Sequence, residues 1–368
     1  MRTIRRLIYG EVLAAVAFVT LGFLSLYFFF DLVDELRWVG QKGNGYQVSH
    51  ALLYVTLMLP SHLYLLLPIT VLIGSILVMA RFAQSSEYTI LRTSGLGPWR
   101  ALKTLLLLGL GFVIFTFATG DYLAPLTDRA AQSLKARQMG NKITIGQTGA
   151  WLKEKQRYFS YAVNVSELTA DGEMRGVRIF EFDNKQGLLV STTQAQMGHI
   201  GTDGGWVLET VQRDEFSPQG AQENLERLHL PSLRWPTEIS AEMVHVALLK
   251  PERMKTIDLF QYIQHLDANG QSAQRYEIEF WKKVFYPMSC LVMVVLALPF
   301  AYLHFRAGGI ASYVFGGVMI GISFFLLNNI FSYIGTLQNW LPWLTAAAPG
   351  MLYSVFSLAA FGWLVLRR

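Results

Sequence analysis

Long apolar runs alternate along the chain with short polar breaks, and the breaks mark out its organisation. Arg2, Arg5 and Arg6 precede a charge-free run from Val12 to Phe30. A helix of about 20 apolar residues crosses a bilayer, so this run predicts a first span. Asp31, Asp34, Glu35, Arg37 and Lys42 form its polar exit. Ala51 to Ala80 predicts a second span, bent at Pro60 and Pro68 because each proline removes a helix hydrogen bond. Thr104 to Gly120 predicts a third, ended by Asp121. Val284 to Leu303 predicts a fourth, entered through Lys282 and Lys283 and left through His304 and Arg306. No charged residue follows until Arg367, a stretch too long for one span. Gly335 to Pro342 divides it into a fifth span, Gly308 to about Ser332, and a sixth, Trp343 to Leu366.

The break from Arg81 to Arg100, RFAQSSEYTILRTSGLGPWR, has its own helical signature. Gln84, Ser85 and Ser86 offer capping oxygens, Glu87 suits the positive end of a helix, and Gly95 with Pro98 reads as a stop. A short helix over about residues 82–95 is expected at the membrane face, joined to a span on each side. Between Asp121 and Lys283 the pattern changes to that of soluble protein. Tyr158 to Val165, Val177 to Phe182, Leu188 to Thr193, Trp206 to Val211 and Leu225 to Trp235 read as strands punctuated by Gly, Asn and Asp. Their spacing suggests a sandwich or barrel-like sheet. Met254 to Asn269 reads as a helix closed by Gly270, with Ile257, Phe260, Tyr262 and Ile263 near one face. The expected division is therefore a helical part over 1–120, a β domain with flanking helices over 121–283, and a second helical part over 284–368.

Composition agrees with a membrane protein. The chain is 52% hydrophobic and 15% charged, where soluble domains carry about 25% charge. Cys290, the single cysteine, lies in an apolar run and excludes an intrachain disulfide or a cysteine metal site. The first run is too long for the core of a cleavable signal, and no small-residue cleavage site follows it. Six spans put both termini on one side, with Arg2, Arg5, Arg6, Arg81, Arg92, Arg100, Lys103, Arg306, Arg367 and Arg368. The positive-inside rule makes that side cytoplasmic and places the β domain outside.

Motifs for chemistry are missing. The sequence has no GxxxxGK[ST], HExxH or GxSxG, and its spans hold no interior carboxylate or lysine. His62, beside Pro60, reads first as a hydrogen-bonded packing residue, and Asn328 and Asn329 read as helix contacts. Glu87, taken alone, is a capping or dipole residue. A scaffold with a lever and no engine needs an engine elsewhere.

Four segments resemble one family: FAQSSEYTILRTSG, GDYLAPLTDRAAQ, IGQTGAWLKE and NGQSAQRYEIEFWKKVFYPMS. They are similar to the lipopolysaccharide-export permeases LptF and LptG, and the third and fourth favour the G branch. The resemblance implies six transmembrane helices with an inserted periplasmic β-jellyroll. It also implies a heterodimer with an LptF-type permease, an LptB-type ATPase dimer that binds the ATP and magnesium, and a single-span LptC-type protein. No cofactor is implied for this chain, and it is expected to be a non-catalytic subunit in the inner membrane of a Gram-negative bacterium. In that family the short helix couples to the ATPase, and its glutamate falls on Glu87, with Tyr88, Leu91 and Arg92 as companions. Candidate lipid contacts are Arg37 and Lys135, with Arg129 and Asp31 beside them. Asp31 stands where the G branch often has a basic residue, and Arg137 is a further candidate cation. The open alternatives are a permease for another lipid or lipoprotein, and a membrane enzyme acting on a lipid headgroup.

Overall fold

A computed structural model describes residues 2–40, 45–85, 87–139, 149–169, 173–201, 204–217, 224–240, 243–244, 251–302 and 310–363. The chain divides into two compact units. One, helical, comprises Met1–Arg37, Val55–Asp128 and Glu277–Arg368; the other comprises Trp38–Tyr54 and Arg129–Tyr276 and carries the sheet.

The early apolar runs become α1 (Arg2–Leu36), α2 (Val48–Gln84), the short α3 (Glu87–Thr93) and α4 (Pro98–Ala118). A π turn, Thr119–Leu123, joins α4 to α5 (Ala124–Met139). After the sheet come α6 (Thr256–Ala268), α7 (Gln274–Phe285), α8 (Ser289–Ala297), α9 (Ile310–Leu337) and α10 (Pro342–Phe361). Among the described residues, five helices are long and apolar enough to cross a membrane, or six when the bent pair Gln274–Phe285 and Ser289–Tyr302 counts as one span. The expected fourth span, Val284 to Leu303, covers the second helix of that pair, and the chain bends by 45° where the two helices meet. Pro287 supplies the reason, because it lacks an N–H for the helix ladder. Around it the bonds tighten to three-residue steps, from the Ser289 amide to the Tyr286 carbonyl and from the Cys290 amide to the Pro287 carbonyl. By contrast α2 runs as one helix through both Pro60 and Pro68.

Apolar side chains fill the helical unit. Leu72, Ile76 and Met79 of α2 pack in one cluster with Val12 and Val16 of α1, Met293 and Val294 of α8, and Phe324 of α9. Some of its buried polar groups find partners nearby: Thr20 donates to the Thr70 hydroxyl at 2.9 Å, and the Lys283 ammonium donates to the Gly120 carbonyl at 3.1 Å. Gly120 lies in the π turn, and a Cβ there would run into the Tyr64 ring.

Among the described residues, the second unit contains six antiparallel strands in chain order: β1 (Ala150–Lys155), β2 (Phe159–Leu168), β3 (Met174–Asp183), β4 (Leu189–Ile200), β5 (Trp206–Ser217) and β6 (Asn224–Trp235). Five match the expected strands, and β1 is an addition. The order is up-and-down, where the Greek keys of a jellyroll bring non-sequential strands together. Even so, the sheet curls. The Trp235 ring of β6 meets the Tyr161 ring of β2 at 5.4 Å. Glu154 of β1 accepts hydrogen bonds from the Thr237 hydroxyl and the Glu238 amide, just beyond β6.

One crease makes this curl intelligible. Ser166, Gly176, Gln196, Thr210 and Pro231 form a transverse row that the ladders skip, while the register continues unchanged on both sides. Across it the buried positions step by three: Val177 to Met174, Ala195 to Gly198, and Val211 to Leu208. Strict alternation would turn half of each strand inside out. One unpaired residue in each of β2 to β6 at the same row keeps the apolar side chains on one face and interrupts the sheet there. Gly176 (φ 61°) and Thr210 (φ 54°) take the left-handed conformation there, and Pro231 lacks the amide a ladder would need.

The α6 helix packs Leu259, Tyr262 and Leu266 inward. Ile257 and Phe260, expected on the apolar face, are exposed. Asn269 accepts a hydrogen bond from the Lys155 amide at 2.8 Å, tying the end of α6 to β1, and Gly270 closes the helix with φ 62°.

Candidate functional site

The α3 helix is built as expected at its end and differently at its start. Gly95 takes φ 98°, and the Leu96 amide reaches back to the Leu91 carbonyl at 3.0 Å, the pattern of a glycine-terminated helix. At the other end α2 extends to Gln84, so α3 is shorter than the 82–95 expected. Ser85 caps α2 instead: its amide and hydroxyl both donate to the Arg81 carbonyl, each at 3.0 Å. Ser86 lies outside the described residues.

Two of the four expected coupling residues face outward and two face inward. Glu87 and Arg92 are exposed. Tyr88 is buried, its hydroxyl donating to the Tyr302 hydroxyl at 3.1 Å, its ring edge-on to Tyr302 at 5.0 Å. Leu91 is half-buried against the same core. Tyr88 is thus an anchor rather than a surface contact, and burial raises the pKa of its phenol. The Arg92 guanidinium lies 5.8 Å from the Tyr302 ring centre. Ile90, which the sequence reading did not single out, is 63% exposed. It falls on the same outward face as Glu87, three positions on. The only signal for it was an apolar residue at a polar-facing helical position.

The candidate lipid contacts separate similarly. Arg129 is tied to Asp258 at 2.6 Å, which makes it a brace between α5 and α6. Lys135 stands 5.4 Å from the Trp38 ring centre and 4.8 Å from that of Tyr54. Arg37 is paired with Asp34 at 3.3 Å, and both side chains are largely exposed. Asp31 accepts from His62 Nε2 at 2.6 Å, so His62 is a hydrogen-bonded residue as its position suggested. Asn328 is also turned inward, donating to the Phe324 carbonyl of its own helix at 2.9 Å. Lys42 and the Arg137 side chain lie outside the described residues. Among the described residues no group of His, Cys, Asp and Glu is placed to hold a metal ion.

The model of the family described as lipopolysaccharide export system permease LptF/LptG matches residues 6–366. The chain belongs to this family. It is 25% identical over 361 residues to the lipopolysaccharide export system permease protein LptG of Escherichia coli K12, covering 98% of this chain and 97% of that protein. It is also 25% identical over 369 residues to LptG of Haemophilus influenzae, covering 100% of this chain and 99% of that one. As a family permease it is a non-catalytic transmembrane subunit of lipopolysaccharide export, and an integral membrane protein. The similarity runs almost end to end along each of these LptG relatives.

Proposed function

We propose that this permease takes lipopolysaccharide from the outer leaflet of the inner membrane and passes it to a periplasmic bridge, with its termini and α3 cytoplasmic and its sheet periplasmic. The observation that carries the reading is the setting of α3. A seven-residue helix with charged and apolar groups exposed is pinned from behind by Tyr88 against Tyr302. Such a helix receives a push on its outer face and delivers it to the end of the bent span. Glu87, Ile90 and Arg92 are the surface offered to a partner ATPase dimer of the LptB type, where ATP and magnesium bind. Tyr88 and Leu91 carry the displacement inward. A second permease of the LptF type completes the lipid path, and a single-span LptC-type protein continues it. The apolar inner face of the curled sheet, with Val163, Val177, Ile179 and Val211, suits acyl chains kept from water. Lys135 and Arg37 are the cations assigned to lipid phosphates, while Arg129 braces α6.

The test is affinity purification of the tagged full chain from native membranes, with mass spectrometry of the proteins and lipids recovered. A second six-span protein, an ATPase and lipid A are the expected companions. Recovery of the ATPase with a different lipid or a lipoprotein would keep the lever and change the cargo. Recovery of the chain alone would contradict the reading.

A further inference from the structure

The helical unit contains a cavity of about 500 Å³ between α1, α2 and α9, within the roughly 300–1,000 Å³ usual for small-molecule sites. Its walls are apolar, with Leu26, Leu66, Ile69, Ile322 and Phe325 among them, and its polar lining residues are Tyr27, Asp31 and His62. His62 is engaged twice, through Nε2 to Asp31 Oδ2 at 2.6 Å and by its ring against Tyr27 at 4.7 Å. The His62 side chain is 16% exposed and that of Asp31 34%, so it is the carboxylate that reaches open space. Its other oxygen, Oδ1, has no hydrogen-bond partner among the described residues.

An apolar cavity with a carboxylate at one end selects by charge. The polar end of the cavity thus presents a carboxylate oxygen, and no lysine or arginine is among the described residues that line it. A phosphate placed here would meet that charge unfavourably, whereas an ammonium would form a charge-assisted hydrogen bond to Oδ1. Asp31 follows the charge-free run directly, where α1 continues to Leu36, and a carboxylate set against apolar walls at a span's end is costly without a partner. We propose that this cavity binds an amphiphile whose polar end carries a primary amine, with Asp31 accepting the ammonium, His62 orienting the carboxylate, and the hydrocarbon lying along α1, α2 and α9. The proposal rests on the export reading only for where the lipid is going. The amine itself belongs either to a decorated lipopolysaccharide or to a bilayer aminophospholipid.

The experiment is lipid retention by the purified complex, read by native mass spectrometry, with matched pairs of probes. One pair is amine-decorated lipopolysaccharide and the same molecule after N-acetylation; the other is phosphatidylethanolamine and its N-acetylated form. The wild-type complex is expected to retain the free-amine member about tenfold better in at least one pair, about 1.4 kcal/mol. Asp31→Asn should abolish that preference without changing retention of the capped lipid. His62→Gln, which keeps an N–H donor for the carboxylate, should preserve it. Preference confined to the lipopolysaccharide pair identifies the cargo as the occupant, and preference confined to the phospholipid pair identifies a bilayer lipid. Equal retention of capped and free forms by the wild type, or an equal loss of both in Asp31→Asn, overturns the proposal. ATP-driven lipopolysaccharide release is measured on the same preparation. Intact release without amine preference sinks this proposal alone; amine preference without release sinks the export reading alone.

Discussion

The two units hide their polar groups in opposite ways. In the helical unit such groups are scattered, and many bind a backbone carbonyl: Tyr9 that of Thr104, Tyr286 that of Leu65 and Lys283 that of Gly120. Its ion pairs are isolated, as that of Arg81, near the end of α2, with Glu11 of α1. In the sheet unit polar groups gather. Glu181 accepts from Ser191 at 2.7 Å and from Arg213 at 3.1 Å, while Arg213 also holds Glu215 at 2.8 Å. Tyr161 donates to the same Glu181, and burial with that carboxylate beside it pushes the phenol up to about 12. The difference follows from the surroundings. A lipid-facing helix has already satisfied its own backbone, so fit between surfaces decides its packing. A curled sheet in water can afford charge inside, provided every charge is paired. The helical unit should therefore break by volume and the sheet unit by charge.

The largest effect is expected from volume. Gly120→Leu would drive a side chain into Tyr64 and displace the carbonyl that Lys283 holds. Overpacking of this kind costs about 3 kcal/mol at its upper end. Thermal unfolding of the detergent-purified chain should move sharply downward, and an unchanged midpoint would show that the π turn has room to spare. Next comes charge. Arg129→Met leaves Asp258, only 8% exposed, without its cation, a loss of about 2 kcal/mol once discounted for the partly exposed arginine. Faster hydrogen exchange in α6 reports it. The double variant with Asp258→Leu should regain most of the loss, because two apolar groups replace the pair. If the double variant is as loose as the single one, the pair is not what holds α6.

The smallest effect is a pH dependence. Burial holds His265 of α6 below its ordinary value of 6.5, against weaker opposing pulls from Glu154, the Lys153 backbone and Glu238. Its folded value is lower than its unfolded one, so the unfolded chain binds the extra proton first. Its stabilising contribution is whole above about pH 6.5 and is lost as the pH falls through the lower folded value. Protection of α6 against exchange, corrected for intrinsic rates, should decline from about pH 7 to about pH 5. In His265→Gln that decline should flatten.

How much of this was legible in the sequence depended on whether a feature was local. Charge-free runs reveal spans because a bilayer tolerates little else, and Gly95 ended α3 as its type demands. Strand β1 escaped because Glu154 occupies an inward position, so apolar alternation fails there even though burial alternates. The crease escaped because each strand shows only a one-residue slip, and its meaning lies in the alignment of those slips. Pro287 marked the bend of the fourth span but sat inside a run that composition alone reads as continuous. Pairings such as Arg129 with Asp258 and Asp31 with His62 join residues far apart in the chain, and no local pattern announces them. Tyr88 had the right position and the opposite orientation, since a helix of two turns gives too few residues to fix its apolar face.

The central claim is that α3 carries the stroke of the ATPase into the helical core. The most direct measurement is the ratio of lipopolysaccharide released to ATP hydrolysed by the reconstituted complex, compared between wild type and Glu87→Ala. The account predicts that ratio to fall by about tenfold, equivalent to about 1.4 kcal/mol of lost coupling, with the thermal midpoint of the permease unchanged. A ratio equal to that of the wild type, at equal ATPase occupancy, would contradict it.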